Sequence, residues 1–385
     1  NAINAGYQVA IMAPTEILAR QHFETLSPLA KKVGVSLNLL TGRDKGTARN
    51  KKLIDLKEGK TNIIIGTHAL FQADVVFKDL RLAVVDEQHR FGVRQRLELG
   101  KKGSVVDLLL MTATPIPRSL ALAHYGDMDF SIIKQKPPGR KPINTALISS
   151  SRIDEVVDKL KNSLAKGAQA YWVCPLIEES EVLHYTAAER RFEKLRAELG
   201  EGVVELVHGK MSSDTKDEIM DRFTNGETKL LVATTVIEVG VNVPKANIMV
   251  VENAEKFGLA QLHQLRGRVG RGTNQSTCLF LYKEPLNSTS KKRLSILRET
   301  EDGFKISEVD LSLRGSGDAI GTAQSGLPRF RMANNEMIEM LMETAHQQAR
   351  YLLAKDPNLE TPQGKAVRNL LWLMDQDKSV RLFSI

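Results

Sequence analysis

The sequence of 385 residues predicts an α/β protein with two parallel-sheet domains followed by a mostly helical C-terminal region. Short apolar runs alternate with longer amphipathic ones, as in the β-α units that build parallel sheets. Residues 134–142 interrupt this alternation with three prolines and four basic residues, which is typical of a linker. The strand-like runs stop after Tyr282. We therefore expect domains at residues 1–136, 143–284 and 285–385.

Four apolar runs in the first domain are predicted strands, and a polar motif follows each of them. The runs are residues 8–13, 62–66, 80–85 and 107–111. The motifs, in the same order, are Pro-Thr-Glu, Thr-His, Asp-Glu-Gln-His and Thr-Ala-Thr. Open α/β sheets bind ligands at the carboxyl ends of their parallel strands, so we expect these motifs to lie along one edge of the sheet.

The second domain repeats the pattern with five predicted strands. These are residues 168–174, 203–207, 229–233, 247–251 and 277–282. A helix is expected to begin after Ser212, whose hydroxyl can cap it, and to end at Gly226, which can adopt a left-handed conformation. Beyond the second sheet, helices are predicted at residues 288–301 and 334–353, with a glycine-rich segment between them.

The composition is that of an ordinary globular protein, with 42% hydrophobic and 26% charged residues. The formal charge of +8 favours a polyanionic partner but is also common in proteins that bind none. Cys174 and Cys278 are far apart and lie in apolar runs, which indicates buried reduced thiols rather than a zinc site. Neither a membrane span nor a signal peptide is evident, so we expect a cytoplasmic protein without a membrane partner.

The motif Asp86-Glu87-Gln88-His89 places two adjacent carboxylates directly after an apolar run. Such a pair suits holding Mg²⁺ and orienting a water molecule at a nucleotide γ-phosphate. By itself the pair is also compatible with a solvated turn. Two observations favour the catalytic interpretation: the preceding run is fully apolar, as in a central parallel strand, and Thr112-Ala113-Thr114 ends the next predicted strand.

The motif Gln264-x-x-Gly267-Arg268-x-Gly270-Arg271 is the most specific signal in the chain. Its two arginines lie three residues apart and can neutralise transition-state charge from a neighbouring domain. The less specific alternative is the start of a basic helix that contacts phosphate. We favour the first interpretation because five specified residues fall within eight positions.

Taken in order, these motifs resemble those of superfamily 2 helicases of the D-E-x-H type. That resemblance implies two RecA-like parallel-sheet domains that close on ATP, the first of them truncated at its N-terminus. It implies that Asp86 and Glu87 hold Mg²⁺, that Glu87 also orients the attacking water, and that His89 couples the site to the other domain. Arg268 and Arg271 would act as arginine fingers on ATP.

Further roles follow from the same resemblance. One group of residues would bind ATP or couple it to movement: Gln264, Gly240, Thr112 and Thr114. Another would contact the DNA backbone: Pro14, Thr15, Thr67, His68, Thr234 and Thr235. Hydroxyls and main-chain N–H groups suit backbone contacts because they grip phosphate without recognising sequence. Thr67 and His68, taken singly, are equally compatible with ordinary turn residues.

The C-terminal region is similar to the translocation motif shared by RecG and the transcription-repair coupling factor. The similar segment is residues 304–334, which contains Asp310-Leu311-x-Leu313-Arg314-Gly315. Ser316 and Asp318 depart from that pattern conservatively. Residues 327–331 and the short helical end resemble RecG in particular. The resemblance implies that Arg293, Arg314 and Gln324 form a network that passes cleft closure to the DNA.

No phosphate loop of the form G-x-x-x-x-G-K-[ST] occurs in the sequence, although helicases of this type need one for ATP. We therefore expect a motor fragment that starts just after this loop, lacks the RecG wedge domain and is inactive by itself. The resemblance implies a bacterial, cytoplasmic, monomeric, ATP- and Mg²⁺-dependent translocase on double-stranded DNA. It implies forks and Holliday junctions as substrates and single-stranded DNA-binding protein as a partner. The alternative is a truncated DNA-binding module without ATPase activity.

Overall fold

The computed structural model describes residues 1–88, 91, 98–113, 129–175, 181–234, 243, 245–318 and 335–374. It leaves out the side chains of residues 181–186, 213, 311, 314–318, 335–336, 338–339 and 342. The chain divides into two units. One contains Asn1–Pro115 with Lys136–Ile306, and the other contains Ile116–Gln135 with Ser307–Ile385.

The first sheet has five parallel strands in the order β2-β3-β1-β4-β5. The strands are β1 (Gln8–Met12), β2 (Leu37–Leu40), β3 (Ile63–Gly66), β4 (Leu80–Val85) and β5 (Asp107–Leu110). Helix α1 (Glu16–Lys32) follows β1, and helix α2 (Gly46–Lys57) follows β2. Successive side chains of a strand point to opposite faces, and apolar clusters cover both faces of this sheet.

The second sheet has six parallel strands in the order β6-β11-β10-β7-β9-β8. They are β6 (Ile143–Ser149), β7 (Gln169–Val173), β8 (Val204–Val207), β9 (Leu230–Ala233), β10 (Ala246–Val251) and β11 (Ser276–Tyr282). The associated helices are α3 (Ile153–Ala165), α4 (Glu181–Leu199), α5 (Ser213–Asn225), α6 (Leu259–Arg266) and α7 (Ser288–Glu299). Trp172, on the central strand β7, is fully buried in the core of this sheet.

The predicted fold class is confirmed, since two parallel α/β sheets precede a set of helices. Helix α5 has the predicted ends: the Ser212 hydroxyl accepts from the N–H of Thr215 at 3.1 Å, and Gly226 has a left-handed φ of 83°. All nine predicted strands are present, but β2 and β6 were not predicted. Both are edge strands whose apolar runs are interrupted by polar residues, Asn38 in β2 and Asn144 with Thr145 in β6.

Three helices follow α7 in the described residues: α8 (Gly303–Asp318), α9 (Asn335–Lys355) and α10 (Pro362–Leu373). Helix α8 lies where the sequence is rich in glycine, a residue that disfavours helix interiors, and it was not predicted. Helices α7 and α9 match the two predicted helices. None of the helices in the described part of the chain is long and apolar enough to cross a membrane.

Candidate active site at the strand ends

The carboxyl ends of the first sheet carry polar residues in an ordered row. Strand β2 leads to Arg43, β3 to Thr67, β1 to Thr15, β4 to Asp86 and β5 to Thr112. The strands are parallel, so these ends meet at one edge. Of the predicted site residues in this domain, those expected to contact DNA follow the neighbouring strands β3 and β1, and those expected to act on the nucleotide follow β4 and β5. The two predicted functions therefore occupy adjacent parts of the same edge.

The side chain of Asp86 is held from two directions. Its Oδ1 accepts the main-chain N–H of Glu87 at 2.9 Å, and its Oδ2 lies 2.9 Å from Nε2 of His22. The main-chain N–H of Asp86 donates to Met12 at 2.9 Å, which continues the pairing of β4 with β1. The Asp86 side chain is 20% exposed, so the carboxylate remains accessible from the sheet edge.

Helix α1 joins Asp86 to the predicted DNA-contacting end of β1. Thr15 caps the helix, and its hydroxyl accepts from the N–H of Leu18 at 3.4 Å. His22 lies seven residues later, which is about two helical turns and brings it to the same face as Thr15. His22 was not among the predicted site residues. The sequence did contain a signal for His22, because Thr15, Ala19 and His22 have the spacing of residues that share one helical face.

Glu87 adopts a backbone conformation that side chains rarely occupy, with a φ of 50°. Such conformations cost about 1–3 kcal/mol and cluster at functional sites. The turn directs Oε2 of Glu87 to within 3.5 Å of the N–H of Ala113, at the long limit of a hydrogen bond. Next to it, the N–H of Gln88 donates to Met111 at 3.0 Å. The carboxylate motif and the Thr-Ala-Thr motif are therefore in contact.

Asp86 and Glu87 offer the donor set that Mg²⁺ uses in nucleotide sites. Mg²⁺ takes one or two protein carboxylates and fills its remaining positions with water and phosphate oxygens. Among the described residues, no group of three or more His, Cys, Asp or Glu side chains is arranged to hold a metal ion.

The arginine motif lies at the end of α6 on the second sheet. Arg268 is 5% exposed, and Nε of Arg271 donates to the carbonyl of Gly267 at 3.3 Å. Gly270 makes this turn possible, because its φ is 76° and a Cβ there would lie 3.0 Å from the Ile143 side chain. The contact of Arg271 with Gly267 therefore folds the motif back on itself.

Electrostatics link Arg271 to Glu87, and both arginines to a tyrosine of β7. Burial lowers the pKa of Arg271, and the negative charge of Glu87 opposes that shift. Burial raises the pKa of Tyr171, while the positive charges of Arg271 and Arg268 oppose the rise. Arg271 thus lies within electrostatic range of the predicted water-orienting carboxylate. Tyr171, which is 1% exposed, was missed by the sequence analysis because it has the pattern of an ordinary strand residue.

Arg266, a member of the same motif, fixes α6 to the end of α7. The residue is 2% exposed, and its guanidinium donates to the carbonyl groups of Leu297 and Thr300. Its Nη2 lies 2.9 Å from Nδ1 of His263. Burial, and then the charge of Arg266, lowers the pKa of His263 to about 4. His263 is therefore neutral at neutral pH and accepts a hydrogen bond from Arg266.

Two of the residues predicted to contact DNA are turned inward. Thr67 is 2% exposed, and its hydroxyl has no hydrogen-bond partner among the described atoms. Thr234 is 1% exposed. The position before Thr67 requires glycine, because a Cβ on Gly66 would lie 2.3 Å from the carbonyl of Leu40. His68 is exposed at the start of a short 3-10 helix. Contacts of Thr67 and Thr234 with DNA stay predictions.

Arg293, predicted to belong to the translocation network, anchors α7 to the loop before α6. It donates to the carbonyl of Phe257 at 3.1 Å and to the hydroxyl of Ser290 at 3.1 Å.

Pro14 and Gln264 are partly buried, at the end of β1 and on α6. Several predicted site residues lie outside the described residues: His89, Thr114, Thr235, Gly240 and Gln324. The same holds for the side chain of Arg314.

Two parallel sheets, a carboxylate pair at one strand end and an arginine motif within electrostatic range of it define a helicase-type motor. Three family models match in succession: DEAD/DEAH box helicase at residues 1–122, helicase conserved C-terminal domain at 152–273, and "ATP-dependent DNA helicase RecG, domain 3, C-terminal" at 300–382. The chain belongs to the RecG family and corresponds to its motor region.

The similarity to individual RecG proteins extends over nearly the whole chain. The ATP-dependent DNA helicase RecG of Pasteurella multocida is 50% identical over 94% of this chain and 53% of the relative. That of Bacillus subtilis is 48% identical over 98% of this chain and 56% of the relative. A solved structure of RecG bound to a three-way DNA junction is 41% identical, with a TM-score of 0.70, and covers 89% of this chain and 44% of that one. The chain spans about half the length of the curated relatives it matches.

Proposed function

We propose that this chain is the part of a RecG-type enzyme that couples ATP hydrolysis to movement along double-stranded DNA. The observation that carries the proposal is the ordered edge of the first sheet. Residues suited to phosphate contact follow β3 and β1, and the Asp86-Glu87 pair follows the adjacent strand β4. Helix α1 connects the two parts through Thr15 and His22.

In this proposal, each side chain acts where charge develops during transfer of the γ-phosphate. Glu87 orients the attacking water, and Asp86 holds the metal ion. Bound Mg²⁺ supplies neutralisation of the phosphate oxygens. Arg268 and Arg271 approach the same phosphate from the second sheet, and such arginines contribute about 10³ to 10⁵ in rate. The negative charge of Glu87, which opposes the lowering of the Arg271 pKa by burial, supports this arrangement.

The substrates proposed for the whole enzyme are branched DNAs, namely stalled forks and Holliday junctions. The support is membership of the RecG family and the similarity to a RecG whose structure was solved bound to a three-way DNA junction. Single-stranded DNA-binding protein is a proposed partner, and a monomer is the proposed state. These proposals concern the full enzyme, of which this chain matches about half.

Displacement of a third strand from a DNA triplex tests the motor function. The chain would be extended at its N-terminus by the phosphate-loop segment of a relative, because ATP binding needs that loop. We expect ATP-dependent displacement of the labelled third strand. Displacement that proceeds equally with a non-hydrolysable nucleotide, or none despite ATP hydrolysis, would contradict the proposed function.

A polypeptide of this sequence alone should hydrolyse ATP at a negligible rate, even with DNA and Mg²⁺. The physical reason is that the β- and γ-phosphates would lack the N–H donors and the lysine that position them and neutralise their charge. The measurement is phosphate release by the purified chain, with the extended version as its control. Robust DNA-stimulated release by the unextended chain would show that this expectation is wrong.

The same experiment addresses the second candidate, a DNA-binding module without ATPase activity. The specific observation in its favour is that the phosphate-loop pattern does not occur in the sequence. The coding DNA upstream of Asn1 provides a simple discriminator. An in-frame phosphate-loop sequence supports the enzyme, whereas a start codon close to Asn1 supports the module.

Replacing Arg314 or Gln324 by Ala should separate hydrolysis from movement in the extended version. We expect DNA binding and much of the ATPase rate to remain while fork unwinding is lost, because these polar side chains are proposed to pass cleft closure to the DNA. The measurement is the ratio of unwinding to hydrolysis on one fork substrate. A proportional fall of both rates, or no fall in either, would exclude this segment as the coupling element.

A further inference from the structure

Arg43 lies at the centre of an ion-pair cluster that joins the two sheets. Its Nε lies 2.9 Å from Oε2 of Glu16 at the start of α1. Its Nη1 lies 3.0 Å from Oδ2 of Asp217, and its Nη2 lies 3.2 Å from Oδ1 of Asp214. Asp214 and Asp217 belong to α5 on the second sheet. Arg43 therefore connects the end of β2 with a helix of the other sheet.

Asp217 also contacts a second arginine of the first sheet. Nη1 of Arg20, on α1, lies 3.4 Å from the same Oδ2 atom that Arg43 contacts. Two guanidinium groups from different elements thus converge on one carboxylate oxygen. The Asp217 side chain is 19% exposed, whereas Asp214 is 82% exposed. Asp217 is therefore the acidic residue that occupies the space between the two arginines.

The geometry of this contact leaves hydrogen-bonding capacity unused. Oδ2 of Asp217 and Nη2 of Arg43 are both buried, and neither has a hydrogen-bond partner among the described atoms. The charged atoms are close enough to form ion pairs, but their angles do not meet the geometry of a hydrogen bond. Buried donors and acceptors without such a partner are costly. A tetrahedral oxyanion between the arginines could use the guanidinium donors better, because arginine pairs well with phosphate oxygens.

The position of the cluster indicates which phosphate it would bind. Arg43 follows β2, which neighbours β3 and then β1 in the sheet, and the ends of β3 and β1 carry Thr67 and Thr15. Arg43 therefore extends the row of predicted DNA contacts by one strand, and Arg20 lies beside it on the helix that follows β1. Arg43 lies on the part of the edge away from β4 and β5, where Asp86 and Thr112 are found. A DNA backbone phosphate fits this place better than the phosphates of a nucleotide.

We propose that Arg20 and Arg43 form a binding site for a DNA backbone phosphate, and that Asp217 occupies this site when DNA is absent. DNA binding then exchanges an intramolecular carboxylate for a phosphate and releases α5 from the first sheet. The loop that carries Arg43 is already ordered for this role, because the N–H of Thr41 donates to Asp44 at 2.8 Å. The inference rests on the proposed DNA-binding function.

Binding of a fluorescent DNA duplex by the unextended chain tests the inference. Asp217→Asn removes the competing charge while keeping the shape of the side chain. We expect it to bind duplex about two- to tenfold more tightly at low salt, as expected when two ion pairs of ordinary strength are released. Arg20→Gln combined with Arg43→Gln should weaken binding and reduce the salt dependence by about one to two phosphate contacts.

Asp221→Asn is the matched control, since it removes one negative charge from the next turn of α5 at an exposed position. The triple variant combines Asp217→Asn with the two arginine substitutions. Its affinity should equal that of the arginine variant, because no cation remains for Asp217 to mask. Thermal melts of all variants establish that they are folded.

Three outcomes would overturn the inference. The first is an Asp217→Asn variant that binds no more tightly than Asp221→Asn. The second is the same tightening with and without the two arginines, which would indicate a general charge effect. These first two outcomes would leave DNA binding by the chain intact and would contradict only the assigned phosphate site. The third is that neither the chain nor any variant binds duplex, which would also contradict the proposed DNA-binding function.

Discussion

In a version of this chain extended by a phosphate loop, Glu87→Gln is expected to lower ATP turnover by about 10³-fold or more. The amide keeps the size of the side chain but cannot orient the attacking water as a carboxylate does. Arg268→Ala and Arg271→Ala should cause losses of similar size, because each removes a positive charge that is needed most in the transition state. Glu87 lies at a strand end and Arg271 in a turn, so for these two residues activity should fall far more than stability; Arg268 is buried, and its replacement should lower stability as well.

The measurement is steady-state phosphate release at saturating DNA, together with thermal melts of each variant. Arg298→Ala is a suitable control, since Arg298 is exposed on α7 and lies outside the motif. A Glu87→Gln or Arg271→Ala variant that turns over ATP at near wild-type rates would refute the assigned roles. Loss of activity together with loss of the folded state would instead indicate a structural role.

Acidification is expected to destabilise the second sheet through His263. The pKa of His263 is about 4 in the folded protein, against an ordinary value of 6.5. Between these two pH values the unfolded chain binds more protons than the folded one. The stability that neutral His263 contributes is therefore fully present above pH 6.5 and is lost as the pH falls towards 4. The shift corresponds to at most about 3 kcal/mol. Protonation would also remove the acceptor that Nδ1 offers to Arg266.

Urea unfolding at about pH 7 and about pH 4.5 measures this effect. The chain has two tryptophans, and Trp172 is buried in the second sheet. A Trp372→Phe background therefore lets fluorescence report on that sheet alone. His263→Gln retains an acceptor for Arg266 but cannot titrate, so it should lose less stability over this range than the parent. Equal losses in the two proteins would mean that His263 does not carry the pH dependence.

Much of the fold could be predicted because central parallel strands are buried on both faces. Such strands have continuous apolar runs, as Leu80–Val85 shows, and the polar motif after each run marks its carboxyl end. The edge strands β2 and β6 lack this signature. Asn38 interrupts Leu37–Leu40, and Asn144 and Thr145 interrupt Ile143–Ser149. The missed strands therefore reflect interrupted apolar runs rather than an unusual topology.

The candidate site was predicted where its residues belong to short motifs and missed where contacts are long-range. Asp86 and Glu87 were identifiable because adjacent carboxylates follow an apolar run. His22 was not, since it meets Asp86 across 64 residues of sequence. The contact of Arg43 with Asp217 joins elements of two different sheets, and local spacing carries no information on such a pair. Tertiary packing, rather than composition, determines these contacts.

The contact between His22 and Asp86 makes the number of residues in α1 as important as their identity. Each residue added to an α-helix turns everything beyond it by about 100° and advances it by about 1.5 Å. An insertion between Thr15 and His22 would therefore swing the imidazole away from the carboxylate even if every side chain were preserved. The length of this helix therefore sets the distance along the sheet edge between Thr15 and the contact of His22 with Asp86. Substitutions on its outer face, other than at Arg20, should be tolerated, whereas insertions or deletions before His22 should not.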